Sequence, residues 1–351
     1  MLTFIIYKFI LCAIVFVISL AVAAYSTLWE RKFSALLQDR VGPDRAGPFG
    51  LLQPLADGGK MFFKEEIIPN VSNRFLFVLG PSLFMLTALM TGVVIPWCKD
   101  ISIGGKLYSV QITDINIGVL YLFGVVSIGV YGIMIGGWAS NNKYALLGAI
   151  RASSQMISYE IAMGIAVIAL IISSGGSLSL REIVEQQDAG FANIVWQPLG
   201  FIIFFVCALA ETNRAPFDLP ECEAELVGGY HTEYSSMKLG LFLFAEYINM
   251  FVSSAIMSAF YFGGYNFPWS HELYSALGFQ DGSVWIGLIG FLAFFMKIVI
   301  FISVFMWIRW TLPRFRYDQL MNLGWKILLP LSLLNLGITV VVEFLRGHIT
   351  F

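Results

Sequence analysis

Long runs of apolar residues, separated by shorter polar stretches, dominate the sequence. Eight of these runs are each close to the ~20 residues that a helix needs to cross a bilayer. They cover approximately residues 2–28, 75–97, 115–140, 152–174, 190–210, 239–262, 283–308 and 327–345. A membrane-spanning strand needs only about 10 residues of alternating character, so continuous runs of this length indicate helices. The pattern predicts an all-α, polytopic transmembrane helix bundle of about eight spans, forming one integral membrane domain over residues 1–351.

The loops between the runs are unequal in charge and length. Loops that follow odd-numbered runs hold 15 Lys and Arg residues, against 5 in the termini and the opposite loops. The positive-inside rule therefore predicts both termini on the outer side and the odd-numbered loops on the cytoplasmic or equivalent side. Two inner loops stand out: a long one over residues 29–74 and an acidic one over residues 211–238.

Residues 51–64 of the long inner loop have an amphipathic pattern. Leu52, Leu55 and Phe62 fall on one side of a helix, whereas Asp57, Lys60 and Lys64 fall on the other. The pattern predicts a short helix that lies in the membrane interface. A re-entrant surface loop without a ligand is an equal alternative.

Composition agrees with a membrane protein and excludes other classes. Apolar residues make up 58% of the chain and charged residues 13%, against about a quarter charged in soluble domains. This composition and a net charge of −2 exclude a soluble enzyme, a disordered protein and a nucleic-acid binder.

Cofactor motifs are missing from the sequence. The four cysteines have no C-x-x-C spacing, and the three histidines lie outside the apolar runs. Neither a phosphate-binding loop nor a dinucleotide-binding glycine pattern is present. We therefore expect no metal site and no redox centre on this chain, so that another chain supplies any cofactor.

Charged residues inside the apolar runs are the main chemical signal. Glu160, Glu246 and Lys297 lie within runs, and Glu211 lies at the inner end of another. Each is costly in lipid, so we expect these side chains to face the bundle interior or a wet cavity. Carboxylates in such places favour a proton relay. The alternative is structural pairing, for example Lys297 neutralising one glutamate.

The acidic inner loop carries a second concentration of charge. Its acidic residues face Arg214 as the only cation between residues 211 and 233. They are Glu211, Asp218, Glu221, Glu223, Glu225 and Glu233. A solvated acidic loop is the simple interpretation, but interleaved apolar residues such as Phe217 and Leu226 favour packing.

Two basic segments lie where spans meet inner loops. They are Glu30-Arg31-Lys32 and the stretch from Arg309 to Asp318. By themselves they are typical interfacial anchors. Apolar walls with few polar groups also suit an amphiphilic ligand that comes from the bilayer.

These motifs, taken in order, resemble a known family. The first signature comprises Glu30-Arg31-Lys32, Gln38-Asp39-Arg40-Val41-Gly42-Pro43, Gly47-Pro48-Phe49-Gly50 and Ala56-Asp57-Gly58. The second comprises Glu211-Thr212-Asn213-Arg214-Ala215-Pro216-Phe217-Asp218, followed by Glu221, Glu223, Glu225 and Glu233. Gly137-Trp138-Ala139-Ser140-Asn141, Ser158-Tyr159-Glu160 and Pro313-Arg314-Phe315-Arg316-Tyr317-Asp318 also match. The sequence resembles the membrane subunit of respiratory complex I that is called the H subunit in bacteria and subunit 1 in mitochondria.

The resemblance implies a function beyond what the residues alone indicate. Such subunits contribute to a proton-translocating NADH:quinone oxidoreductase, with quinone as substrate and with FMN and iron–sulfur clusters only on partner subunits. It implies a quinone tunnel lined by Arg31, Asp57, Arg214 and Phe217. It also implies proton coupling through Glu160, Glu211, Asp218, Glu221, Glu223, Glu225, Glu233, Glu246 and Lys297. The expected location is the bacterial inner membrane, or the mitochondrial inner membrane if the chain is organellar.

Two alternatives stay open at this point. Buried glutamates also suit a stand-alone ion or solute transporter, although we find no inverted repeat between the two halves. Membrane-bound hydrogenases and photosynthetic quinone reductases contain related subunits. The electron donor is therefore less certain than the membrane role.

Overall fold

The computed structural model describes residues 2–103, 105–188, 191–218, 227–268, 270, 272, 274 and 282–346. Its α-helices are α1 (Leu2–Leu37), α2 (Gln53–Phe63), α3 (Arg74–Thr91), α4 (Gly118–Ala139), α5 (Lys143–Ser173), α6 (Leu180–Gln186), α7 (Asn193–Trp196), α8 (Pro198–Glu211), α9 (Ser236–Tyr261), α10 (Val284–Thr311), α11 (Tyr317–Asn322) and α12 (Leu329–Leu345). A π-helical turn, Leu323–Leu328, joins α11 to α12. An antiparallel hairpin pairs β1 (Ile101–Ile103) with β2 (Lys106–Tyr108), and Ser102 lies opposite Leu107.

The helical membrane architecture predicted from the apolar runs is confirmed. In the described part of the chain, seven helices are long and apolar enough to cross a membrane: α1, α3, α4, α5, α9, α10 and the continuous stretch from α11 through α12. Their apolar faces turn outward, which is the arrangement that lipid requires.

The fifth predicted span differs from the others. It was expected over residues 190–210, but the described helix there is α8, with 14 residues. A helix of this length reaches about 21 Å, less than the ~30 Å of a hydrocarbon core. Pro198 explains the late start, because proline has no N–H to continue a helix and is favoured in the first turn.

Helix α1 extends further than the hydrophobic pattern predicts. The apolar run ends at residue 28, and the long loop was expected to begin at residue 29, yet the helix continues to Leu37. The extension carries Glu30, Arg31 and Lys32. Charges this close to a span do not end the helix here because Glu30 and Arg31 have ionic partners from other parts of the chain.

The amphipathic helix predicted in the long loop is confirmed as α2. It is held against the start of α9, where Ser236 Oγ donates to the Met61 carbonyl oxygen at 3.1 Å. The side chains of Leu55 and Phe62 are exposed on the surface of the protein, as an interfacial helix requires. Asp57, predicted on the polar side of the helix, pairs with Arg31 of α1.

Helices α3 and α4 approach each other closely at glycines. A Cβ atom on Gly80 would lie 2.8 Å from the Gly136 Cα, and one on Gly132 would lie 2.8 Å from the Phe84 nitrogen. Small residues at such crossings let two membrane helices pack backbone to backbone. Tyr234 completes the joint, since its hydroxyl donates to the carbonyl oxygens of Phe77 and Gly136 at 3.1 and 3.2 Å.

Candidate functional site

A buried carboxylate with two arginine partners lies at the inner end of α1. Glu30 Oε2 accepts hydrogen bonds from Arg214 Nη1 and the Tyr247 hydroxyl, both at 2.8 Å. Glu30 Oε1 pairs with Arg309 Nη1 at 2.6 Å. We call these four residues the Glu30 cluster. It joins α1, the loop after α8, α9 and α10, so one carboxylate connects four separate parts of the chain.

The guanidinium of Arg214 is held from two directions. It pairs with Glu30 and lies 3.8 Å from the centroid of the Tyr247 ring, which gives a cation–π contact. Desolvation lowers the pKa of Arg214, but Tyr247 and Glu30 raise it by more, so the pKa lies above its usual range. Arg214 therefore stays positively charged, and only the anion with which it pairs can change.

A cavity of about 270 Å³ lies beside the Glu30 cluster. Its polar wall is formed by Glu30, Arg31, Asp57, Tyr247 and Arg309, and apolar residues of α1, α2 and α9 form the rest. Arg31 Nη1 pairs with Asp57 Oδ2 at 2.8 Å across this wall. We call this space the charged cavity. It combines a few fixed polar groups with apolar walls, as small-molecule sites do.

The charged cavity continues into an apolar groove that is open to the lipid side. A space of about 710 Å³ between α1, α2, α3 and α9 shares Ala24, Pro54, Gly58 and Phe244 with the charged cavity. A further space of about 330 Å³ shares Phe16, Met85, Leu89 and Leu241 with that one and reaches Cys12. Together they form a groove along about 27 Å of α1, from Glu30 to Cys12, at 1.5 Å per residue.

The acidic inner loop is anchored firmly where the structure describes it. Gln155 of α5 is fully buried, and its Nε2 donates to the carbonyl oxygens of Ala210 and Phe217 at 2.7 and 2.9 Å. Phe217 packs edge-on against Tyr159 with ring centroids 5.6 Å apart. This packing confirms a folded loop rather than a solvated one over residues 210–218.

The sequence-predicted tunnel residues occupy different positions around the cavity. Arg31 and Asp57 line it, and Arg214 lies directly behind it through Glu30. Phe217 is buried against Tyr159 and is not among the described residues that line the cavity. The structure therefore brings three of the four predicted residues together.

Three of the predicted proton-coupling carboxylates, Glu160, Glu211 and Glu246, lie on described helices of the bundle. Ser127 of α4 donates to Glu160, and the Tyr230 hydroxyl donates to Glu246 at 2.9 Å. Glu211 lines a small space of about 20 Å³ between α4, α8 and α9 and interacts electrostatically with Glu160. Each of these three side chains therefore has a polar or charged neighbour within the bundle.

The outer members of this set are tied to neighbouring elements. Asp218 is buried and pairs with Arg314 Nη2 at 3.3 Å. Glu233 accepts a hydrogen bond from Asn142 Nδ2 at 2.6 Å. Glu221, Glu223 and Glu225 lie outside the described residues.

Lys297 has a contact set different from the ion pair considered above. Its Nζ donates to the carbonyl oxygens of Phe262, Gly264 and Asn266 at 2.6, 2.7 and 2.5 Å. These carbonyls belong to the turn that follows α9, so the ammonium satisfies backbone acceptors of this turn. All three donors of Lys297 are thereby used.

Sequence reasoning missed the members that complete the Glu30 cluster. Glu30 and Arg309 were assigned as interfacial anchors, and Tyr247 carried no signal of its own. Their partners lie far away in sequence, with a separation of 184 residues from Glu30 to Arg214. The one usable clue was that Glu30, like Glu211, lies close to the end of an apolar run.

The fold and the charged cavity define the class: a polytopic helical membrane protein in which an apolar groove along a membrane helix ends at a cluster of ion pairs. A family profile described as NADH dehydrogenase matches residues 9–340. The NADH-quinone oxidoreductase H subunit 1 of Cytophaga hutchinsonii is 67% identical over 336 residues, which are 96% of each chain. The chain belongs to this NADH dehydrogenase family, which includes the H subunits of NADH-quinone oxidoreductases.

Other relatives give the same assignment. The NADH-quinone oxidoreductase H subunit of Flavobacterium johnsoniae is 58% identical over 336 residues, covering 96% of this chain and 95% of that protein. NADH-quinone oxidoreductase subunit 8 of Rhodothermus marinus is 50% identical over 310 residues, covering 87% and 88%. The family resemblance stated from the motifs is confirmed.

Proposed function

We propose that this chain is the quinone-binding membrane subunit of a proton-translocating NADH:quinone oxidoreductase, located in a bacterial inner membrane. The carrying observation is the apolar groove that opens from the lipid side into the charged cavity. A quinone has a polar head and a long apolar tail, and this pair of spaces matches both parts. The names of the relatives support the same substrate.

In this proposal the groove holds the isoprenoid tail and guides the head past the charged cavity. Groove walls are almost entirely apolar, so they bind the tail by burial and impose little direction on it. The cavity wall supplies fixed donors in the guanidinium groups of Arg31 and Arg309, which favour an electron-rich carbonyl oxygen. Electrons come from FMN and iron–sulfur clusters on partner subunits, and neighbouring membrane subunits complete the proton path.

In this proposal the Glu30 cluster couples quinone reduction to proton translocation, because it links the charged cavity to the acidic loop. Arg214 contacts the cavity wall through Glu30 and lies within the folded part of the acidic loop, three residues after Glu211. Any change of charge or geometry at Glu30 therefore acts on the loop. We propose that it reaches the carboxylates Glu160, Glu211, Asp218, Glu221, Glu223, Glu225, Glu233 and Glu246, with Lys297 continuing the charged axis. Buried carboxylates of this kind are the usual members of membrane proton relays.

A plug at the junction of groove and cavity tests the proposal. Gly58 lines both spaces, and a Cβ atom there would meet no described residue within 4 Å, so α2 accepts a side chain without strain. Gly58→Phe should fill the junction and reduce long-chain quinone reduction by the complex at least tenfold, while NADH-to-ferricyanide activity persists. Gly124→Phe is the matched control, because Gly124 is equally open but lies on the exposed face of α4. Undiminished quinone reduction in the Gly58 variant would contradict the proposal.

A further inference from the structure

Helix α12 buries only polar side chains. Its four buried residues are Ser332, Asn335, Thr339 and Glu343, which share one face, and its exposed residues are mostly apolar. Burying polar groups of a membrane helix costs free energy unless those groups gain hydrogen-bond partners. The face must therefore meet other polar groups in a seam against its neighbours.

Those groups belong to the beginning of the short helix α8. Gln197, which precedes it, donates from Nε2 to Thr339 Oγ1 at 2.7 Å and accepts from Asn335 Nδ2 at 3.1 Å. The first turn of any helix has N–H groups without an acceptor in that helix, here those of Leu199 and Gly200. Because α8 begins beside the middle of a membrane helix, bulk water does not reach these N–H groups.

A tyrosine hydroxyl points to the same spot. Tyr261 of α9 is fully buried, and its hydroxyl makes no hydrogen bond to any described part of the chain. A Cβ atom on Gly200 would lie 3.2 Å from Asn335 Nδ2, 3.3 Å from Gln197 Oε1 and 3.5 Å from the Tyr261 hydroxyl oxygen. These three polar atoms therefore lie close together beside Gly200. An unpaired buried hydroxyl costs more than a hydrogen-bonded one, so a phenylalanine would be expected here if nothing bound.

We propose that Tyr261, Gln197 and the first turn of α8 form a binding site for ordered water inside the membrane domain. Water accepts from the Tyr261 hydroxyl and from one first-turn N–H group, and it donates to Gln197 Oε1. This gives it the two to four polar partners that buried waters have. Thr339 and Glu343 extend the polar face toward the end of α12, where Glu343 pairs with Arg346 at 3.1 Å. Exchange with bulk water runs along this face.

The site is separate from the charged cavity and does not depend on the proposed function. It lies at the beginning of α8, whereas Glu211 and Arg214 lie at the other end. It also explains how the chain tolerates a membrane helix of 14 residues. The water replaces the solvent that the beginning of a full-length helix would reach.

Density in the assembled enzyme tests the site directly. In a cryo-electron microscopy map of the complex that resolves water, we expect a peak within hydrogen-bonding distance of the Tyr261 hydroxyl, and its loss in Tyr261→Phe. A hydroxyl that contacts only apolar atoms, or that bonds directly to a protein group, overturns the proposal.

The thermal midpoint of the complex gives a second test, because the Tyr261→Phe substitution should lower it if water is bound but not if the site is empty. If water is bound, Tyr261→Phe removes one of its partners and lowers the thermal midpoint of the complex. If the hydroxyl is unpaired, the same change leaves the midpoint unchanged or raises it, which contradicts the proposal. Tyr159→Phe calibrates the measurement, because the Tyr159 hydroxyl donates directly to the Leu320 carbonyl oxygen at 2.9 Å. The wild-type map decides the matter if the Tyr261 variant does not assemble.

Discussion

Glu30 is the residue on which most of the site depends. Its side chain is 7% exposed and balances two guanidinium groups, one of which is buried as deeply. Breaking a buried ion pair from one side costs more than the pair contributes, because the remaining charge stays desolvated. We therefore expect that removing the Glu30 carboxylate destabilises the protein more than weakening any one of its partners does.

Glu30→Gln should lower the stability of the membrane domain by about 3–5 kcal/mol, the usual cost of leaving a buried charge without its partner. The measurement is the thermal midpoint of the purified complex, together with its quinone reductase activity. Glu185→Gln is the control, since the Glu185 side chain is 48% exposed in its pair with Arg181 and should change stability by less than ~1 kcal/mol. Equal losses of stability in the two variants would contradict the structural role of Glu30.

Glu211 makes a prediction about function rather than stability. Glu211→Gln keeps the size and hydrogen-bonding capacity of the side chain but removes its exchangeable proton. We expect proton pumping to be abolished and quinone reduction to fall strongly, while NADH-to-ferricyanide activity and assembly are retained. Glu225→Gln should behave alike. Proton uptake in reconstituted vesicles measures this, and normal quinone-linked pumping in both variants would contradict the relay.

At the scale of helices, the length of the apolar runs predicted most elements. It did not predict a helix end that depends on ion pairs with residues far away in sequence. The seven long spans and α2 follow from pattern alone, because a long apolar run can only be buried in lipid or core. The end of α1 did not follow, since Glu30 is satisfied by Arg214 and Arg309. The start of α8 had a local signal in the sequence, because Pro198 favours the first turn of a helix and so shortens the span.

The site was less predictable than the fold for the same reason. Arg31, Asp57 and Arg214 were found through motifs, but Tyr247 and Arg309 enter only when α9 and α10 pack beside α1. Ion pairs between residues far apart in sequence leave no periodic pattern along the chain.

The close crossing of α3 and α4 gives a prediction at the same scale. Gly80→Ala places a Cβ atom 2.8 Å from backbone of α4, which only a shift of one helix relieves. Overpacking of this kind costs about 1–3 kcal/mol. Gly124→Ala is the control on α4, because a Cβ atom there meets nothing within 4 Å in the described part of the chain. Thermal midpoints of the complex should fall for Gly80→Ala alone, and equal midpoints would mean that the crossing is looser than described.

At the scale of the whole molecule, the parts of the candidate site lie together at one end of the bundle. The Glu30 cluster, the charged cavity and the folded part of the acidic loop all lie at the ends of helices that face the same side. The apolar groove along α1 leads away from this end. This layout suits a ligand that moves from lipid toward partner proteins, whereas a stand-alone transporter needs access from both sides.

The most direct measurement is photolabelling of the intact complex with a quinone analogue that carries its reactive group near the head. We expect label between Arg31 and Lys64, in the inner end of α1 and in α2, and loss of that label when excess quinone competes. Label confined to the opposite side of the membrane, around the β1–β2 hairpin and α6, would contradict it.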